Sequence, residues 1–269
     1  MTTTEITKSH VPTAVATKND IAKIFGNQPV QLPVDAPLPL VRIMRESAQF
    51  EMPDGSFQKE LTGNIIYYTN CNAYYSAAFG EGESPVPDCC SSNGITPDGG
   101  TNPQQGPCRA CPLNQFGSAR DAKAKACSNT IRLYMLLDGD VLPTLIKAPP
   151  TSLGKKESLM RWLTSAPNIA AKAGAGTAYQ PIKVRLSLHK KAFDSGFSAS
   201  VIHIETIRVL TMDTIADMAE VHTLASLMRQ FKETYLGRIA SDIAAEKIEE
   251  MPSSSGAGQH SSANDDCPI

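Results

Sequence analysis

No stretch of the 269-residue sequence comes near the ~18 consecutive apolar residues that a membrane-spanning helix needs. The opening MTTTEITKSH lacks a basic patch followed by an apolar run, so no secretory signal is read and a cytoplasmic protein is expected. Also missing are G-x-x-x-x-G-K-[ST], G-x-S-x-G and H-E-x-x-H, which removes phosphate-loop, nucleophile-elbow and zinc-protease chemistry. The five histidines are scattered and gather no carboxylates around them. The expectation is therefore a non-enzymatic protein. Internal repeats are absent as well.

What is present begins with charge. The net charge of −2 conceals a division. Residues 213–250 carry four Lys or Arg against eight Asp or Glu, whereas residues 1–212 carry 21 against 17. A mildly basic body with an acidic end is common among nucleic-acid binders, although an excess this small also fits ordinary scatter.

Residues 1–35 read as a loosely ordered lead without sustained periodicity. LVRIMRESAQFEM (40–52) and ELTGNIIYYTNCNAYYSA (60–77) read as strands separated by a turn at Asp54-Gly55. Residues 81–128 are dense in Pro, Gly, Ser and Asn and cannot build an apolar core of their own. A hairpin is expected about Asp138-Gly139-Asp140. A helix follows over 151–166, capped by Thr151 or Ser152 and striped by Leu159, Trp162 and Leu163. Residues 180–193 and 198–211 alternate apolar and polar with period two, which marks two more strands. A long amphipathic helix over 213–249, with Asp213 as its cap and a break near Gly237, either packs on the body or forms a homo-oligomer interface. Residues 251–269 collapse to a disordered tail. Strands, a cysteine insertion at 81–128, a helix and closing strands together predict a mainly β domain over 36–212, an OB-type Greek-key barrel, followed by the helix at 213–250.

Seven cysteines in a reducing compartment point to metal before disulfides. The spacing Cys89-x18-Cys108-x2-Cys111-x15-Cys127 offers four thiolates to one tetrahedral Zn²⁺. Cys90 is the alternative first ligand. Four protein ligands leave no open position, so the site would be structural. Cys71, on a strand, reads as core packing.

Single-strand binders stack bases on aromatic rings and track phosphates with cations. The candidate rings are Phe50, Tyr67, Tyr68, Tyr74 and Tyr75. Tyr67 and Tyr68 are adjacent on a strand and must point to opposite faces. The candidate cations are Arg42, Arg45, Arg109, Arg120, Lys123, Lys125, Arg132, Lys183 and Arg185.

The segment C-C-S-S-N-G…C-x-x-C-P-x-N-x-x-G-S…A-C, within residues 87–127, resembles zinc-ribbon-bearing proteins of phages and mobile elements. That resemblance implies genome maintenance. The stretch Asp265-Asp266-Cys267-Pro268-Ile269 resembles the acidic tip of bacterial single-stranded DNA-binding proteins, with Ile269 where the family has phenylalanine and with fewer aspartates. It implies that Asp265, Asp266, Pro268 and Ile269 recruit replication and recombination proteins. The combined expectation is a single-stranded DNA-binding protein with structural zinc. The alternative is a zinc-ribbon regulatory or transcription-associated factor acting mainly through protein contacts.

Overall fold

The computed structural model describes residues 37–44, 47–76, 86–120, 124–192 and 198–235. The expected lead at 1–35, Arg45, Lys123, the helical stretch beyond residue 235 and the tail residues Asp265, Asp266, Pro268 and Ile269 lie outside the described residues. No helix among the described residues is long and apolar enough to cross a membrane.

The fold is mainly β. Among the described residues nine strands form one sheet: β1 (Leu40–Met44), β2 (Gln49–Glu51), β3 (Phe57–Gln58), β4 (Glu60–Tyr74), β5 (Cys89–Ser91), β6 (Cys127–Leu137), β7 (Thr144–Ala148), β8 (Ile182–Ala192) and β9 (Ser198–Val209). Among the described residues two α-helices accompany them, α1 (Ser158–Lys172) and α2 (Ile215–Thr234). Residues 40–52, expected as one strand, are two. Ala48 adopts φ 51° before the chain turns back, and Ile43 then pairs with Phe50.

The strands lie in the order β3-β2-β1-β7-β6-β4-β8-β9. All neighbours are antiparallel except β1 and β7, which run parallel. The sheet curls, because Val41 and Phe50 from one end share a single core with Ile202 and Ile204 from the other. Ser200 Oγ on β9 donates to Met44 O at the end of β1, 2.9 Å away. Strand β4 serves two regions along one edge. Its residues 60–64 pair with β8, and 72–74 pair with β5, while β6 takes the opposite edge along most of its length. The cysteine-bearing segment thus prolongs the sheet beyond the core.

Helix α1 closes that core with Leu159, Trp162, Ala166 and Ala170, which fall on one helical face. It starts at Ser158, later than the spacing predicts, because the expected caps are used elsewhere. Thr151 and Ser152 belong to a 3-10 turn, and Ser152 Oγ accepts from Ile202 N of β9. Ser158 Oγ likewise accepts from Ile204 N and donates to Ile204 O. Two serines therefore satisfy the backbone of a sheet edge that would otherwise invite a stray strand.

Helix α2 lies on the outer face. Thr214, rather than Asp213, caps it by accepting from Asp217 N at 3.1 Å; Asp213 instead accepts from the Thr211 hydroxyl. The hydrogen bond from Arg208, 2.6 Å, holds the Asp217 carboxyl below its ordinary value of 3.8. A depressed carboxyl stabilises the fold above its unfolded value and loses that contribution as pH falls through the lower folded value. The first turn of α2 should accordingly lose amide protection when pH drops below 3.8. In Asp217→Asn that acid step should vanish; persistence of the same step would assign it to another group.

Candidate metal centre and nucleic-acid interface

The four cysteines of the expected ligand set, together with the alternative Cys90, line one cavity of about 20 Å³, room for a single water-sized occupant. The backbone explains how they meet. Tyr74 of β4 is in register with Cys89 on one side and Cys127 on the other, so both cysteines share its face of the sheet. Cys90 pairs with Ala73 and falls on the opposite face. Cys108 and Cys111 arrive on two successive 3-10 turns, Cys108–Ala110 and Pro112–Asn114. Asn114 Nδ2 donates to Cys108 O at 3.0 Å, and Cys108 N donates to Ile95 O at 2.7 Å. Gly100 permits the return past β5. It adopts φ 113°, and a Cβ there would collide with Asp88 O and lie 2.7 Å from Cys89 Cα.

Burial pushes the Cys127 thiol up to about 12, and the sulfurs of Cys108, Cys111 and Cys89 push it the same way. Cys89 is raised as well, by burial first and then by Cys108 and Cys111, against a hydrogen bond from Gln104 N at 3.3 Å. Cys90 is pushed up to about 11 by burial, then by Asp98 and Cys89, and Arg132 opposes the shift. Among the described residues, no three His, Cys, Asp or Glu side chains are already gathered as a finished ligand set. Register places Cys89 and Cys127 on one face of the sheet, and Cys108 and Cys111 line the same cavity from the 3-10 turns. Cys71 is buried and donates to Ser92 O at 3.5 Å.

The expected nucleic-acid contacts divide sharply. Phe50 is 0% exposed and belongs to the core, so it presents no ring to a base. Arg132 is 1% exposed on a central strand, opposite Thr69 of β4 and Lys147 of β7, and cannot reach a phosphate from there. Lys183 is held by Asp138 at 2.8 Å and Glu220 at 3.5 Å. Burial would depress its ammonium, but the Asp138 hydrogen bond and both carboxylates outweigh that and raise it. Arg185 lies between Glu60 at 3.3 Å and Glu205 at 3.7 Å. The basic stripe expected on β8 is therefore neutralised by acids from β4, β9, α2 and the turn after β6.

Tyr67 and Tyr68 point to opposite faces. Tyr68 packs against the core and Tyr179, 5.3 Å between ring centroids. Tyr67 meets Tyr134 at 5.9 Å and Phe231 of α2 at 5.4 Å. Tyr74 lines the cysteine cavity, and Tyr75 is half-buried next to it. Arg42 is exposed on β1 opposite Glu51. Arg109 and Arg120 are exposed, Lys125 is half-buried, and all three lie on the cysteine-bearing segment.

One residue was missed by spacing alone. Phe116 is 44% exposed, and Lys125 Nζ sits 5.0 Å from its ring centroid. The signal was present as an aromatic between the third and fourth cysteines of a segment with little other apolar content.

No family model, curated protein or solved structure matches this chain.

Proposed function

We propose that the protein binds single-stranded DNA without transforming it, through an OB-type barrel that carries a zinc-stapled module. The observation that carries this reading is strand order. With β4, β6 and β7 taken as an antiparallel meander, α1 follows the third strand, β8 returns beside the first, and β9 pairs with β8. OB barrels have this order, with the fifth strand closing in parallel against the third. Here β1 takes the place beside β7, parallel to it, and meets β9 through the Ser200–Met44 hydrogen bond.

Cys89, Cys108, Cys111 and Cys127 suit a structural Zn²⁺: the donors are soft, the cavity is of single-ion size and no open position remains. A bound dication would cross-link β5, the 3-10 turns and β6, and would reverse the preference of these thiols for their protons. The tail residues Asp265, Asp266, Pro268 and Ile269 would recruit replication and recombination proteins to the bound strand, on sequence resemblance alone.

The test is competition between single-stranded and duplex oligonucleotides of one sequence. Single strands should win, and affinity should fall steeply with salt as counterions are released. Equal affinity for duplex would favour the regulatory alternative.

A further inference from the structure

We infer that the single-strand contact is made at the tip of the cysteine-held loop. Phe116 is the stacking platform for one unpaired base, and Arg109, Arg120 and Lys125 hold the flanking phosphates. This rests on the single-strand-binding reading and specifies its site.

The loop is braced as a display element. Gln115 Nε2 donates to Arg109 O at 2.9 Å and to Cys111 O at 3.1 Å. Ser118 Oγ shares its one proton between Leu113 O at 2.8 Å and Gln115 O at 2.7 Å, and accepts from Ala126 N at 2.9 Å. Gly117 takes φ 87° and donates to Ala124 O at 3.0 Å. Phe116 sits between these pinned neighbours yet directs its ring outward. An apolar ring fixed in water by so many bonds loses little further entropy when a partner covers it.

The surroundings select the partner. Lys125 lies over the ring, and Arg120 is positioned by donating to Ser76 O at 3.1 Å. Two acids of the module are engaged by backbone amides: Asp88 accepts from Ser76 N, and Asp98 accepts from Ser92 N. A protein partner would call for a broad apolar patch. A single ring among cations matches a base with its phosphates. The barrel rings are not alternatives, since Phe50 is buried and Tyr67 is packed against Phe231 of α2.

The experiment titrates a labelled oligo-dT into the full-length protein, Phe116→Ala, Phe116→Trp and Phe57→Ala. Phe57, 55% exposed on β3, is the control ring. Loss of one stacked base, ~1–3 kcal/mol, corresponds to about 5- to 150-fold weaker binding for Phe116→Ala. Phe116→Trp should retain affinity and Phe57→Ala should match the wild type. If the wild type binds and Phe116→Ala binds equally well, the site assignment falls while the single-strand reading stands. Equal losses in Phe116→Ala and Phe57→Ala would also overturn the assignment. If the wild type ignores oligo-dT, the functional reading itself fails.

Discussion

Cys108→Ser should reduce bound zinc from about one ion per chain to none, and amide protection should collapse across 86–120 and 124–127 while β8 and β9 stay protected. The reason is what the module lacks. Between residues 86 and 127 its buried hydrophobic side chains are Cys89, Cys90, Cys108 and Ala124, with no buried Leu, Ile, Val or Phe among the described residues. Three register pairs tie β5 to β4, and turns supply most of the rest. Such a segment buries too little to offset its ordering entropy. Zinc binding is worth roughly 10–16 kcal/mol in small zinc-finger peptides, ample to order it. The core of the curled sheet draws on other strands and on α1, so it should survive. Metal analysis with hydrogen exchange checks both halves. A metal-free wild-type protein with the same protection would reject the site.

Phe231→Ala should lower stability by about 3–5 kcal/mol, a large share of the 5–15 kcal/mol that holds an ordinary domain together. Phe231 is 0% exposed and touches three rings, with centroids at 4.4 Å to Tyr134 and 5.4 Å to both Tyr67 and Tyr235. Its removal leaves a hole between α2 and the outer face of β4 and β6. Leu224 and Leu227 would remain as the buried aliphatic anchors of α2. Denaturant unfolding monitored by helix signal reads the effect, and Phe231→Leu should recover part of it. A loss below about 1 kcal/mol would mean that α2 does not depend on this aromatic cluster.

Much of the architecture was legible because local rules act through the backbone. Alternation over 180–193 and 198–211 marks β8 and β9, whose inward residues Val184, Leu186, Ile202 and Ile204 all reach the core. Asp138-Gly139-Asp140 makes the turn after β6, with Gly139 at φ 92°. The adjacent tyrosines 67 and 68 separate across the sheet as a period of two requires.

The illegible part is long-range pairing. Lys183 and Arg185 look like a basic stripe until Asp138, Glu220, Glu60 and Glu205 arrive from elsewhere in the chain. Arg132 looks solvated until β4 and β7 flank it. Strand β5 was hidden because composition rich in Ser and Pro predicts loop, whereas edge pairing to β4 requires only three residues. The choice between Cys89 and Cys90 also depends on that register, which spacing does not reveal.

The most direct measurement is fluorescence anisotropy of labelled oligo-dT titrated with the full-length protein at low and moderate ionic strength. A single-strand binder of this design should saturate at low salt and lose affinity by orders of magnitude as salt rises, with a slope reporting a few phosphate contacts. No change in anisotropy at low ionic strength would contradict it.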